Sequence, residues 1–298
     1  MSESFKSAFV AVVGRPNAGK STVINRIMGE KISIVSKKPQ TTRGKILAIL
    51  NEKDCQIVFV DTPGVHRART KLGDYMNEAA LRSACGVDMA VLMIDAEKGF
   101  GTPEERILKE LQKEDIPVIL AINKVDAVNK EDILPLIAEL SEKMDFAAIV
   151  PISALHGDGV DLLLSEIKNL AEEGPMFYPE DAVTDKTERE IASEIIREKI
   201  LRLMQQEIPH GTAVEVFEMK DDGKTLKIGA NIFCEKASHK SIIIGKGGAM
   251  LKKVGTYARE DMEKFFGKKV YLSLWVKVKS DWRNDNFMLK NLGFTKEE

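Results

Sequence analysis

Residues 14–21 read Gly14-Arg15-Pro16-Asn17-Ala18-Gly19-Lys20-Ser21, a complete G-x-x-x-x-G-K-S between an apolar run, Ala8–Val13, and an amphipathic stretch around Ile24. Few eight-residue patterns restrict a fold so tightly. Gly14 and Gly19 let backbone amides wrap the α/β-phosphates of a nucleotide, Lys20 reaches the β/γ-phosphates, and Ser21 offers a hydroxyl to Mg²⁺. Thr22, the next residue, is counted with the same site. The competing reading, a plain glycine turn, does not explain why a strand-like run precedes the loop and a helical stretch follows it.

Further apolar runs at Ile46–Leu50, Ile57–Val60, Met89–Ile94, Val118–Ile122 and Ala147–Val150 alternate with amphipathic segments near Leu81, Leu108, Ile137 and Ile167. Strands buried on both faces read this way, so the N-terminal half is expected to be an α/β domain, a mostly parallel sheet flanked by helices. The 298 residues suggest about two domains. Their 44% hydrophobic and 30% charged composition is that of a globular chain, and no apolar run approaches a bilayer span. The N-terminus lacks the apolar stretch of a secretory signal. Cys55, Cys85 and Cys234 are odd in number and widely spaced, which argues against a disulfide scaffold or a zinc site and for a reducing cytoplasm.

Ligands of open α/β sheets bind at the carboxyl ends of the strands. There stand Gly14, Asp61, Asn123 and Ser153. Asp61-Thr62-Pro63-Gly64 follows the third run; Asp61 can hold the metal through water, and the Gly64 amide can sense a γ-phosphate. Asn123-Lys124-Val125-Asp126 selects the base, because the Asp126 carboxylate can accept both the N1 and N2 protons of guanine and adenine offers neither. The Lys124 stem can lie over the purine, and Ser153-Ala154 supplies an amide for guanine O6. Between the first two motifs, Lys37–Arg43 reads as a switch loop in which a threonine hydroxyl completes the Mg²⁺ shell; Thr42 is favoured, with Thr41 the alternative. Lys20, Thr42 and Gly64 are thus the candidate catalytic groups, and Ser21, Thr42 and Asp61 the candidate metal ligands. Val65 stands where Ras-like enzymes place the glutamine that orients water, so unaided hydrolysis is expected to be slow, about 10⁻³ s⁻¹ or below. Asn17 either ligates a K⁺ that supplies the missing positive charge, as in related bacterial GTPases, or simply shapes the loop.

The C-terminal third is different in kind. From His239 to Lys290, twelve Lys/Arg stand against five Asp/Glu, although the whole chain carries a formal charge of −2. Such an asymmetry points to a polyanion partner or to a merely solvated surface. Glu172-Glu173-Gly174-Pro175 reads as the end of the last helix of a first domain (1–174), followed by a linker (175–186) and a second domain (187–298). Thr187-x-x-Glu190 is a capping box. After it come a helix, strands at Ala213–Met219 and Thr225–Cys234 joined by Asp221-Asp222-Gly223-Lys224, and a short helix near Ser238–Ile243. Then follow Ile244-Gly245-Lys246-Gly247-Gly248, a helix striped by Leu251, Val254, Ala258, Met262 and Phe265, and a strand alternating at Val270, Leu272, Leu274, Val276 and Val278. Helix–Gly-x-x-Gly–helix on a small sheet, in the order α-β-β-α-α-β, is the type II KH arrangement, a smaller α+β domain. Gly245 and Gly248 permit close backbone approach, the next helix offers amides to phosphates, and Lys246, Lys252, Lys253 and Arg259 add attraction for single-stranded RNA. Tyr271 and Trp275 fall on the other face of the last strand, read as packing against a helix, with base stacking the alternative. Trp282-Arg283 and Leu292-Gly293-Phe294 either dock back on the core or extend the RNA surface.

A phosphate-loop GTPase fused to a type II KH domain resembles the Era family of bacterial GTPases over nearly the whole chain. The likeness rests on the loop with Asn17, Gln40-Thr41-Thr42-Arg43, Asp61-Thr62-Pro63-Gly64-Val65-His66, Asn123-Lys124-Val125-Asp126, Ile244-Gly245-Lys246-Gly247-Gly248 and Trp282-Arg283. The resemblance implies a GTPase that binds GTP and GDP with Mg²⁺, engages the 3′ end of 16S ribosomal RNA during assembly of the small (30S) subunit, and touches the inner membrane face peripherally. A monomer is expected. A tRNA-modifying GTPase is disfavoured because no cysteine has a catalytic setting. Two further rivals, an RNA chaperone with a structural nucleotide site and a signalling GTPase whose KH fold contacts protein, differ from it in whether Lys20 and the glycine loop matter.

Overall fold

The computed structural model describes residues 5–36, 38, 41–65, 68–205 and 208–294; the expectations that fall on Lys37, Pro39, Gln40 and His66 lie outside them. The chain divides into two compact units. One takes the chain up to Ala68 and Met76–Asp185; the other takes Arg69–Tyr75 and everything from Lys186 onward.

The first unit is built on a seven-stranded sheet. Its elements are β1 (Lys6–Gly14), α1 (Lys20–Met28), β2 (Ile46–Asn51), β3 (Cys55–Asp61), α2 (Lys71–Arg82, of which this unit takes the part from Met76), β4 (Met89–Asp95), α3 (Thr102–Leu111), β5 (Val118–Asn123), α4 (Lys130–Ser141), β6 (Ala148–Ile152), α5 (Val160–Leu170) and β7 (Glu172–Glu173). The order is β2-β3-β1-β4-β5-β6; only β2 and the short β7, which pairs with Lys6 and Ser7, run antiparallel to their neighbours. Both faces of the sheet are covered. Val23 and Ile24 of α1 pack with Leu163 and Ile167 of α5 on one face, while Ala80, Ile107, Leu108 and Leu140 of the helices α2 to α4 close the other. Burial on two sides is why these strands are apolar from end to end, and why the expected runs match the observed strands within a few residues.

Two expectations need correction. Glu172–Glu173 is a strand on β1, not a helix end: α5 stops at Leu170. Residues 176–185, expected as part of a free linker, lie along β2 as a strap. Ile49 N–H donates to Val183 O (3.0 Å), the Thr184 hydroxyl donates to Leu47 O (2.7 Å), and the buried Gln56 amide ties down Phe177 and Tyr178 through three bonds of 2.7–2.9 Å. Tyr178 and Ala182 then cover Leu47, Ile49, Val58 and Val60. The strap seals an apolar sheet edge that would otherwise face water.

The second unit contains α6 (Glu188–Leu203), β8 (Thr212–Asp221), β9 (Thr225–Cys234), α7 (Ala237–Ile244), α8 (Ala249–Phe266), β10 (Lys269–Val278) and α9 (Asn286–Asn291). The capping box forms as expected: Glu190 N–H donates to the Thr187 hydroxyl, and the Glu190 carboxylate accepts from Thr187 N–H at 2.9 Å. The sheet order is β10-β9-β8, with β9 parallel to β10 and antiparallel to β8. Leu226, Ile228, Ala230 and Ile232 of β9 meet Ile196 and Ile200 of α6 and Val254, Ala258 and Met262 of α8 in one core. Phe266 rather than Phe265 completes the α8 stripe, and Val278 is exposed instead of closing the core.

The tail resolves in favour of docking. Trp282 is fully buried, and its indole N–H donates to Gly211 O at 2.9 Å; Arg283 makes a bidentate pair with Glu235 (2.8 and 2.7 Å). Trp282, with no exposed surface, does not extend a nucleic-acid surface. Replacing Trp282 by Ala removes the largest fully buried side chain and is expected to cost about 3–5 kcal/mol of stability. Urea unfolding followed by circular dichroism checks this; a loss under 1 kcal/mol would show that the tail contributes little.

Candidate functional site

The phosphate loop leaves β1 at Gly14 and enters α1 at Lys20, and its glycines stand where they do for steric reasons. A Cβ on Gly19 (φ +103°) would meet the Asn123 amide nitrogen at 2.0 Å, and one on Gly14 (φ +156°) would meet Met93 O at 2.5 Å. Asn17 is itself left-handed, at φ +64°. Lys20 folds back over the loop, donating to Gly14 O and Arg15 O at 3.0 Å each. The ammonium is buried, and desolvation lowers its pKa to about 8 against the opposing pull of Asp61. An anion is what this cation lacks, and a β/γ-phosphate would supply one.

Beside it three oxygens converge. The Ser21 hydroxyl donates to Asp61 Oδ2 at 2.7 Å and lies 3.1 Å from Thr42 Oγ1. Asp61 is fully buried, burial pushes its carboxyl pKa up, and its Oδ1 has no hydrogen-bond partner among the described residues. A hard, all-oxygen donor set with an unsatisfied buried carboxylate oxygen fits Mg²⁺. The structure also separates the two threonines. Thr42 reaches Ser21, whereas the Thr41 hydroxyl donates to Lys38 O at 2.7 Å. Thr62 secures the loop by donating to Val12 O (2.9 Å), and Val65 is buried, as far from a water-orienting polar group as its side chain suggests. Gly64 presses on the phosphate loop so closely that a Cβ there would lie 2.4 Å from Pro16 N. No side chain fits between the two loops.

The base-recognition motif is held by one amide. Asn123 Nδ2 donates to Ala18 O (2.7 Å), and its Oδ1 accepts from Ala154 N–H (2.9 Å), so one side chain fixes the phosphate loop and the Ser153-Ala154 loop together. Asp126 is the middle residue of a short 3₁₀ turn (Val125–Ala127) and is exposed; a hydrogen bond with Ser153 holds its carboxyl below the usual range, and the carboxylate can accept two N–H hydrogen bonds. His156 Nε2 stands 3.7 Å from Asp126 Oδ2. Lys124 (φ +67°) is anchored by a hydrogen-bonded ion pair to the fully buried Asp95.

Asp95 and Glu104 are site residues that the sequence reading missed. Asp95 follows the Met89–Ile94 run, so the strand-end rule that picked out Gly14, Asp61, Asn123 and Ser153 applies to it equally. Glu104 carried no such signal: it is buried at the start of α3, makes a bidentate pair with Arg15, and accepts from Gly101 N–H at 3.1 Å. Arg15 therefore braces the phosphate loop from behind.

In the second unit the glycine loop joins α7 to α8. Gly245 (φ +73°) is required by crowding, since a Cβ would meet Met250 Cβ at 2.7 Å; Gly247 (φ +59°) and Gly248 (φ +82°) are left-handed with open space above them. Gly248 caps α8 without any side-chain bond, leaving amides at its start for phosphate oxygens. Lys246, Lys252 and Lys253 are exposed around this loop. Of the Ile242–Ile244 run, Ile243 is buried and Ile244 packs on the core, while Ile242 is half exposed. Arg259 lies farther along α8 and bonds Glu263 at 3.0 Å, which makes it the weakest of the predicted RNA contacts.

These features define a guanine-nucleotide switch enzyme that carries a KH domain. Residues 9–124 match the family model described as 50S ribosome-binding GTPase, and residues 207–283 match that of the KH domain. A GTPase Era of Clostridium kluyveri is 52% identical over 97% of this chain and 99% of its own length, and that of Ruminiclostridium cellulolyticum is 49% identical over 98% of both. Crystal structures agree. An Aquifex aeolicus Era variant bound to GDP and aluminium fluoride superposes with a TM-score of 0.94 at 40% identity, and an Era complex with MgGDPNP and nucleotides 1506–1542 of 16S ribosomal RNA with 0.94 at 39%; each pairs 98% of this chain with 100% of its own. The chain belongs to the Era family, and it is a GTPase.

The buried Lys20 generates a prediction. Its pKa of about 8 in the nucleotide-free protein must rise when phosphates surround it, because an adjacent anion favours the charged form. Binding of GDP at pH 8.5 should therefore take up a fraction of a proton, and affinity should fall as pH rises above about 8. Calorimetry in buffers of different ionisation enthalpy measures this; no proton uptake would contradict it.

Proposed function

We propose that this protein is a slowly hydrolysing GTP switch that binds single-stranded RNA, its target the 3′ end of 16S ribosomal RNA during assembly of the 30S subunit. The convergence of Ser21, Thr42 and Asp61 beside a buried Lys20 carries the nucleotide half of this reading. The open glycine loop at the start of α8 supports the RNA half, as does the 16S RNA fragment held by the related Era structure.

In this reading Ser21, Thr42 and Asp61 hold Mg²⁺, which on binding would neutralise charge on the β- and γ-phosphates. Lys20 stabilises the charge that builds on the phosphoryl oxygens, and Gly64 N–H donates to the γ-phosphate. The γ-phosphate with its Mg²⁺ would hold Thr42 in the place it already takes beside Ser21. Val65 offers no polar atom to orient the water that attacks the γ-phosphorus. Hydrolysis is consequently a timer. A K⁺ held by Asn17 would add positive charge beside the transferred phosphate. The state of the loops around Thr42 and Gly64 then sets how tightly the second unit grips RNA. The protein acts as a monomer in the cytoplasm. Its basic second unit supports peripheral contact with an anionic inner membrane face; among the described residues no helix is long and apolar enough to cross one.

Two measurements follow. Affinity for an RNA of the 16S 3′-end sequence should differ between the GDP complex and that of a non-hydrolysable GTP analogue, and equal affinities would reject the coupling. Hydrolysis should be faster in K⁺ than in Na⁺ at the same ionic strength; equal rates would remove K⁺ from the mechanism.

A further inference from the structure

Among the described residues, the face of the second unit's sheet turned away from α6 and α8 carries three well-exposed aromatic side chains. Tyr271 and Trp275 of β10 are 64% and 47% exposed, and Phe217 of β8 is 46% exposed. Tyr271 and Trp275, expected to pack against a helix, are both substantially exposed instead. Phe217 sits at a bulge, where the β8–β9 register shifts between Val216 and Glu218. The bulge throws its ring across Gly229 of β9, where a Cβ would meet the Phe217 Cζ at 2.8 Å, and the ring ends 5.4 Å from that of Trp275 at a 60° tilt. A missing side chain on the central strand thus permits an aromatic cluster that bridges all three strands.

The polar residues of the same face decide which partner suits it. Strand pairing places Lys227 directly opposite Tyr271, and alternation along β10 puts Lys269 and Lys277 two residues beyond each aromatic on that side. The carboxylates near the face are engaged: Glu215 accepts from Asn231 at 3.0 Å, Glu218 pairs with Lys220 at 2.6 Å, and Asp222 stands 3.6 Å from the exposed Lys227. Exposed rings flanked by ammonium groups, on an open sheet, are the chemistry that stacks unpaired bases and holds their phosphates. A protein partner would be better met by an apolar surface depleted of lysine.

We propose that this open sheet face is a second contact for single-stranded RNA, on the side of the sheet away from the glycine loop, with Trp275 and Tyr271 as stacking platforms and Lys227 and Lys277 as phosphate contacts. It takes its ligand class from the RNA-binding reading above and its location from the rings alone. A strand long enough to leave the glycine-loop groove and reach the sheet gains the extra contacts; a short one does not.

The chain has a built-in reporter, because it holds two tryptophans and Trp282 is sealed in the core. In the full-length protein, a single-stranded RNA of about 20 nucleotides should quench Trp275 emission, whereas one of about six, sufficient for a groove that clamps four nucleotides, should not. Combined Tyr271→Ala and Trp275→Ala should weaken the long RNA about tenfold and leave the short one unchanged. Trp275→Phe, which keeps a ring, should bind both as the native chain does. Gly247→Asp should abolish short-RNA binding while the long RNA still quenches. Circular dichroism and urea unfolding verify folding of each variant. Native affinity of the double-alanine variant for the long RNA, or emission that does not move as that RNA saturates, would overturn the proposal, and is the result expected if these rings dock a protein. Failure of every RNA to bind would instead sink the RNA-binding reading, and this proposal with it.

Discussion

An ammonium and a carboxylate share the dry floor of the nucleotide site, and the organisation of the first unit follows from what they lack. Lys20 and Asp61 are both buried, and burial drives both toward neutrality, the amine downward and the acid upward. Charges in such a place are costly unless paired and hydrogen-bonded. Carbonyls of the phosphate loop and the Ser21 hydroxyl satisfy them in part. The remaining deficit is one of charge, and a metal–phosphate ligand removes it at both ends at once. Affinity for such a ligand is therefore stored in the folded protein as an unmet electrostatic demand.

Holding that demand in place requires rigid surroundings, and these are bought with buried polar cross-links rather than with apolar packing alone. Asn123 joins two ligand loops through one amide, Arg15 and Glu104 brace the phosphate loop against α3, and Asp95 fixes Lys124. The Asn123 and Asp95 links join the end of one strand to the loop after another, and so depend on the parallel sheet having its carboxyl ends on one side. Losing one partner would leave the other buried and unsatisfied, which costs more than the bond itself contributes. The glycines act by the opposite route. Gly19 and Gly64 are needed because side chains there would displace Asn123 and Pro16.

How much of this the amino-acid sequence discloses depends on where the information lies. Strands buried on both faces must be apolar throughout, so β1 to β6 were legible as runs, and the ligand loops at their ends as motifs. Glu172–Glu173 was not, because two exposed residues on a sheet edge carry no pattern. The strap over residues 176–185 was hidden for a related reason: it is held by its backbone and by Gln56, a residue more than a hundred positions away, and neither leaves a periodic trace. Asp95 was within reach of the strand-end rule. Glu104 was not, since its partner Arg15 is a contact of the fold. In the KH unit the α-β-β-α-α-β order was legible from alternation and caps, yet alternation separates only two faces of a strand and cannot say whether the second is covered.

That ambiguity bears on how the second unit is built. Its core needs only one face of the three strands, and α6, α7 and α8 supply its lid. The other face could have been made polar at no cost to the core, as single-sided sheets usually are. Instead it places rings at positions 217, 271 and 275, and a glycine at 229 that weakens the central strand while letting Phe217 lie flat. Phe217 and Trp275 shelter each other only partly. Exposed aromatic area of this kind raises the free energy of the unliganded protein, and the core gains nothing from it. A surface that keeps such a penalty beside three lysines is explained by what it binds, in the same way that the buried charges of Lys20 and Asp61 are explained by theirs.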